Sequence, residues 1–135
     1  MGAPTFRRQH LPGVTVIAIR GELDLATAGQ AEAFIRLARR PGDEVVLDLA
    51  GIPFMDCSAL TMLWRLHQDA GCDGGALRLV ALRPEPARVL RLAGAERRLP
   101  VHRTLAEALA EATATPRQFR RRPRWACRTP APTDR

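Results

Sequence analysis

One stretch of the sequence decides the fold: VVLDLAGIPFMDCSAL at positions 45–60, which continues as TMLWRLH at 61–67. It begins as a continuous apolar run of strand length and is then interrupted by Gly51 and Pro53, which break regular structure. Beyond Asp56 the apolar side chains recur with helical spacing, at Leu60, Leu63, Trp64 and His67. The stretch therefore predicts a buried strand that enters a helix through a short polar corner.

The polar corner, Asp56-Cys57-Ser58, falls at the predicted start of that helix. The first backbone N–H groups of a helix have no partner within the helix, and the helix dipole favours negative charge there. Asp56 and Ser58 are both candidates for the side chain that caps the helix. An anion or a phosphate group would also be stabilised at this position.

The chain before this stretch predicts two strands and a helix. A first strand is expected over 5–10 and a second, buried on both faces, over 14–20, with a turn between them. A capping box at 27–30 predicts a helix from about Ala28. Its apolar face should contain Ala31, Phe34, Ile35 and Ala38.

The chain after the corner continues the alternation of strands and helices. The helix should end with Gly71 as its cap, and strands are expected over 77–82 and 101–103. A turn over 84–86 should precede a short helix that ends at Gly94. A second capping box, 104–107, should open a last helix with four inward side chains: Leu105, Ala108, Leu109 and Ala112. This order predicts an α/β domain with a parallel or mixed sheet.

Length and composition favour one globular, cytoplasmic domain. The chain has 135 residues, its first 12 residues have no apolar core of a signal peptide, and no apolar run approaches the ~20 residues that span a bilayer. Three cysteines are present without Cys-x-x-Cys spacing. An odd number without that spacing argues against a disulfide framework or a zinc site.

The positive charge is concentrated at one end of the chain. Residues 115–135 carry seven arginines and one aspartate, whereas the rest of the chain is nearly neutral. We therefore expect a folded domain over 5–113 and a flexible, basic Arg/Pro-rich tail over 114–135. The tail could contact acidic surfaces or simply be solvated, and direct DNA binding is not expected because no nucleic-acid recognition fold is apparent.

Three motifs occur in a characteristic order: GELD at 21–24, VLDL at 46–49 and FMDCSAL at 54–60. Together with the order of elements they resemble the STAS domain family, in particular the bacterial anti-sigma factor antagonists. The resemblance covers about residues 6–112. It implies an α/β STAS fold, in which a four- to five-stranded mixed sheet packs against about four helices.

The resemblance also implies a function. Antagonists of this family bind an anti-sigma factor, an ATP-dependent serine kinase, and so free a sigma factor; phosphorylation at the corner weakens binding and a phosphatase restores it. In this chain the implied docking surface contains Asp24, Asp56, Cys57, Ser58 and Ala59, with the segment 22–27 beside the corner. The alternative is a STAS subunit of a lipid-transport ATPase complex or of a stressosome-like scaffold.

The chain departs from the family pattern at the corner. The residue directly after the aspartate is usually the serine that accepts phosphate, and here it is Cys57. Ala59 stands where glycine is usual. Three hypotheses follow: Ser58 accepts the phosphate instead, Cys57 is a redox-sensitive thiol, or the protein is not switched by phosphate.

The sequence does not indicate an enzyme. His10, His67 and His102 are scattered, with no metal-ligand spacing and no catalytic-triad order. Paired carboxylates and the glycine-rich motifs that hold phosphates are also absent from the sequence. We therefore predict a regulatory binding protein without a cofactor or metal.

Overall fold

The computed structural model describes residues 3–114, which form a five-stranded sheet and four α-helices. The elements in chain order are β1 (Thr5–Leu11), β2 (Val14–Arg20), α1 (Ala28–Ala38), β3 (Glu44–Gly51), α2 (Cys57–Cys72), β4 (Leu77–Val80), α3 (Pro84–Leu92), a 3₁₀-helix (Ala95–Arg97), β5 (Val101–His102) and α4 (Leu105–Ala114). The predicted mixed α/β fold is confirmed. Ala114 still belongs to α4, and the rest of the predicted basic tail lies outside the described residues.

The strands are ordered β1-β2-β3-β4-β5 across the sheet. β1 pairs antiparallel with β2, and every other neighbouring pair is parallel. The carboxyl ends of β2 and β3 therefore lie at the same edge of the sheet, which we call the carboxyl edge. The segments that follow these two strands contain the predicted site residues.

β3 is buried on both faces, which explains its continuous apolar sequence. Val45, Leu47 and Leu49 belong to the core cluster formed with α1 and α2. Val46 points to the opposite face, where it packs with Ala108 and Ala112 of α4. The strand thus lies between two layers of helix, and the predicted buried strand is confirmed.

The buried face of α2 differs from the predicted one. Leu63 is fully buried, but Leu60, Trp64 and His67 are only half-buried. The buried side chains are Ala59, Met62, Leu63, Leu66 and Ala70. Leu60 and Trp64 lie at the edge of this buried face, where they pack against the core and line a groove beside the 3₁₀-helix.

Two predicted helix ends are also corrected. Gly71 lies within α2, which continues to Cys72, and the left-handed glycine of this turn is Gly74, with φ of 91°. The prolines expected to turn the chain before α3 instead belong to its first turn, because α3 begins at Pro84. Proline is tolerated at that position since its missing N–H would have no helical partner.

One capping box is confirmed and the other is not. At α4, the Thr104 hydroxyl accepts the Glu107 N–H at 3.2 Å. At α1, the helix begins at Ala28 as predicted, but the Thr27 side chain does not cap it. The Thr27 hydroxyl instead donates to the backbone oxygen of Glu22 at 2.7 Å.

Ion pairs join α1 to α2 on the outside of the domain. Glu32 accepts hydrogen bonds from Arg65 at 2.7 Å and from Arg36 at 2.8 Å, and Arg36 also pairs with Asp69. Partial burial alone would raise the pKa of Glu32, but the hydrogen bonds and charges of Arg65 and Arg36 outweigh it and hold the pKa below its usual range. The ionised carboxylate is therefore stabilised in the folded state.

Glu32→Gln should lower the free energy of unfolding near neutral pH by about 1 kcal/mol, because it weakens two charge-assisted hydrogen bonds. Since folding lowers the pKa of Glu32, its contribution is present above the unfolded pKa and is lost as pH falls through the folded value. Urea unfolding of both proteins from pH 7 to pH 3 should show the difference shrinking in acid. The exposed Glu111→Gln is the control, and a pH-independent difference would contradict the expectation.

Among residues 3–114, no helix combines the length and apolar character that a membrane span requires.

Candidate functional site

Asp56 forms the start of α2. It has extended backbone angles just before the helix, and its Oδ1 accepts the Ser58 N–H at 2.8 Å. Asp56 is thus the cap, and the alternative that Ser58 caps the helix is wrong. Ser58 is the second residue of the helix, and its hydroxyl makes no hydrogen bond to the residues that the structure describes.

The segment after β2 lies directly beside the corner. Leu23 pairs with Met55 as in a parallel sheet: its N–H donates to the oxygen of Phe54, and its own oxygen accepts the Asp56 N–H, both at 3.1 Å. The second carboxylate oxygen of Asp56 accepts the Leu25 N–H at 3.3 Å. One side chain therefore fixes the helix start and the neighbouring loop in a common geometry.

Asp24 organises that loop. Its Oδ1 accepts the N–H groups of Ala26 at 2.9 Å and of Thr27 at 3.1 Å, which folds the chain into a tight turn before α1. The Asp24 carboxylate thus has a structural task of its own. It is half-buried and remains open to solvent on one side.

The corner residues differ in their exposure. Cys57 is exposed, Ser58 is half-buried, and Ala59 is fully buried. Cys57 and Ser58 can therefore present side chains to a partner, whereas Ala59 supports the corner from the core. The small Ala59 side chain lets the first turn of α2 approach the sheet closely.

Two exposed apolar residues flank the corner, and neither was predicted individually as a site residue, although Leu25 lies in the segment 22–27 that was expected beside the corner. The side chain of Leu25 is 82% exposed and that of Phe54 is 47% exposed. Each belongs to a loop, where hydrophobic periodicity gives no signal. The sequence signal that could have identified them is a large apolar side chain within a polar turn, because exposed apolar residues often mark protein interfaces.

The histidines have structural contacts in separate places. His67 Nδ1 accepts the Leu77 N–H at 3.3 Å, and His102 Nε2 lies 3.2 Å from the guanidinium of Arg78. Within residues 3–114, no three histidine, cysteine, aspartate or glutamate side chains are arranged to hold a metal ion.

A groove runs along the exposed side of α2. It has a volume of about 530 Å³ and separates α2 from the 3₁₀-helix. Its lining residues are Leu60, Thr61, Trp64, Ala93, Gly94, Ala95, Arg97, Arg98 and Leu99. We refer to it as the α2 groove. It begins one turn after Asp56, so the corner and the groove form a continuous surface.

The fold and the site together define a class of protein: a small α/β domain with a short polar corner, 56–58, at the carboxyl edge of its sheet. The model of the STAS domain family matches residues 5–108. The chain belongs to the STAS domain family, as its motifs had indicated.

Several relatives are named as anti-sigma factor antagonists. The anti-sigma F factor antagonist of Paenibacillus polymyxa is 27% identical over 105 residues, which cover 76% of this chain and 90% of that protein. RsfA, the anti-sigma-F factor antagonist of Mycobacterium tuberculosis, is 31% identical over 107 residues, covering 76% and 82%. Another M. tuberculosis relative is 38% identical over 72 residues, and the match spans only 49% of its length.

Solved structures show the same fold. An anti-sigma factor antagonist of Mycobacterium paratuberculosis superposes with a TM-score of 0.74 at 27% identity, over 82% of this chain and 95% of that one. The unphosphorylated form of the antagonist SpoIIAA gives a TM-score of 0.68 at 21% identity, over 83% and 99%. The similarity to SpoIIAA concerns the fold alone.

Proposed function

We propose that this protein is an anti-sigma factor antagonist, a regulatory binding protein without catalytic activity of its own. Family membership and the names of its relatives support the class of function. The observation that carries the site is Asp56, whose carboxylate joins the start of α2 to the loop after β2. The partner would dock on that joint surface and release its sigma factor.

The proposed partner is an anti-sigma factor of the ATP-dependent serine kinase type, with a phosphatase as the opposing enzyme, in the cytoplasm. The docking surface contains carboxylates at Asp24 and Asp56 and apolar side chains at Leu25 and Phe54. Such a surface suits a partner that offers a cation and an apolar pocket. Charge complementarity would orient the complex, while the apolar side chains would supply most of the affinity.

The corner differs from the family pattern in the group that it exposes. Cys57 occupies the exposed first position of α2, where the family usually has the acceptor serine. Ser58 is the remaining hydroxyl, and its backbone N–H is already bound by Asp56. We propose Ser58 as the acceptor. A phosphate there would lie near the helix N-terminus, so the fold would tolerate it, while its added negative charge would repel a partner selected by Asp56.

Incubating the protein with its cognate kinase and ATP should add one phosphate, and Ser58→Ala should abolish it. Intact-mass spectrometry gives the number of phosphates, and peptide sequencing gives the position. Thr113→Ala, which changes an exposed hydroxyl on α4 outside the corner and the α2 groove, is the control and should leave phosphorylation intact. If the wild type stays unmodified while Cys57→Ser gains a phosphate, the switch has been lost with the serine and Ser58 is not its substitute.

The second candidate is an accessory STAS subunit of a lipid-transport ATPase complex or a stressosome-like scaffold. Cys57 favours it, because a subunit of that type needs no phosphate acceptor at the corner. Affinity purification from the host separates the two candidates. Recovery of a kinase-like anti-sigma factor that binds the purified protein directly would support the antagonist, and recovery of a permease or transport ATPase without it would support the accessory subunit.

A further inference from the structure

The α2 groove differs in charge from the corner beside it. Arg97 and Arg98 are exposed at its rim, and neither lies within ion-pair distance of a carboxylate among residues 3–114. Elsewhere among residues 3–114, five arginines each pair with a carboxylate: Arg36, Arg39, Arg40, Arg65 and Arg78. Other exposed arginines, such as Arg88 and Arg91 of α3, lack an ion pair within that range but do not line the groove. The rim of the groove thus has two arginines without an ion-pair partner among residues 3–114, next to the exposed Glu96, which does not line the groove.

The wall of the groove is aromatic and apolar. Trp64 is half-buried, and the guanidinium carbon of Arg98 lies 5.5 Å from the centre of its ring. Leu99 is nearly fully buried beneath it, and Leu60 contributes a half-buried side chain. Tryptophan and arginine are the residues most enriched among those that dominate binding energy in interfaces. A cation held over an aromatic ring can also receive a carboxylate without moving far.

We propose that the α2 groove binds an acidic segment of the anti-sigma factor, with carboxylates on Arg97 and Arg98 and an apolar side chain against Trp64. This inference rests on the proposed function and extends its docking surface. The groove begins at Leu60 and Thr61, one turn from the corner, so one partner can cover both. Because the corner is acidic and the groove is basic, a partner with the reverse order of charges can dock in only one direction.

The test uses charge reversal and requires the purified anti-sigma factor that binds the wild-type protein. Arg97→Glu/Arg98→Glu should weaken binding at least about tenfold, since like charges would then face each other. The matched control is Arg88→Glu/Arg91→Glu, which makes the same charge change at exposed positions of α3 that do not line the groove. The control should change affinity less than about twofold at physiological salt.

Trp64 provides a second readout. The chain has two tryptophans, so Trp125→Phe leaves Trp64 as the only indole fluorophore. Saturation with the anti-sigma factor should shift its emission to shorter wavelength, because the partner would remove water from the groove. This measurement does not depend on the charge-reversed protein being well folded.

The possible outcomes distinguish a failure of the groove proposal from a failure of the proposed function. If no anti-sigma factor binds the wild type, the proposed function fails. If one binds but the groove variant and Trp64 emission are unaffected, the function stands and the groove proposal is overturned. If both double variants weaken binding equally, the proposal is also overturned, because the result would indicate general electrostatic attraction rather than binding in the groove. If ATP alone shifts the emission of Trp64 and the anti-sigma factor does not compete with ATP for the groove, the groove binds a small anionic ligand and the proposal is overturned.

Discussion

Replacing Asp56 by asparagine is expected to weaken binding of the anti-sigma factor about tenfold while hardly changing the stability of the free protein. Asparagine is as good a helix cap as aspartate, so its side-chain oxygen can still accept the Ser58 N–H. The amide nitrogen would replace the oxygen that accepts the Leu25 N–H, but this bond is exposed and long, at 3.3 Å, so water can replace it. The substitution therefore removes the charge and keeps the geometry.

Two further variants make this result interpretable. Asp56→Ala removes both acceptors and should cost about 1 kcal/mol of stability in addition to affinity. Asp48→Asn is the matched control, because Asp48 also binds a backbone N–H, that of Ala50 at 3.0 Å, away from the corner. Affinity is measured by titration calorimetry and stability by urea unfolding. Equal affinity of Asp56→Asn and the wild type would exclude the Asp56 charge from recognition.

The strand, corner and first helical turn at the centre of the fold could be predicted from sequence. β3 is buried on both faces, so its apolar residues form an unbroken run, and Gly51 and Pro53 mark where the regular strand ends. The cap was less certain, because aspartate and serine both favour helix starts. Only the backbone geometry distinguishes Asp56, which precedes the helix, from Ser58, which is already within it.

The face of α2 could not be predicted reliably, for a physical reason. Hydrophobic spacing gives weight to large side chains, so Leu60 and Trp64 indicated the core. The buried face of α2 instead contains Ala59, Met62, Leu63, Leu66 and Ala70. Leu60 and Trp64 lie beside that face, where they line a groove. The residues that complete that groove, Arg97 and Leu99, are distant in sequence, and no local pattern links them to α2.

The loops at the carboxyl edge show a similar limit. The likeness of motifs indicated that the segment after β2 lies beside the corner, and the bridge between Leu23 and Met55 places it there. Hydrophobic periodicity could not predict that Leu25 and Phe54 are exposed, because their exposure depends on how the two loops pair through backbone hydrogen bonds. Residues of this kind become visible as candidates only once the register of the two segments is known.

Gly75→Ala is expected to lower the free energy of unfolding by about 2–3 kcal/mol, the largest effect on stability that we predict. An added Cβ would lie 2.3 Å from the backbone oxygen of Asp43 and 3.0 Å from the guanidinium of Arg39. The Asp43 oxygen cannot simply move, because Asp43 directly precedes β3 and its oxygen accepts two hydrogen bonds from Arg39, at 2.9 and 3.1 Å. The turn before β4 would have to separate from the start of β3.

The matched control is Gly71→Ala, four residues earlier on the same segment. Gly71 lies inside α2, and an added Cβ would meet nothing within 4 Å. Alanine there should stabilise the protein by about 0.5–1 kcal/mol, because glycine has more conformational freedom to lose in a helix. Urea unfolding should therefore move the two midpoints in opposite directions. A shift of both in the same direction would mean that the close approach of Gly75 to Asp43 does not determine the packing of this turn.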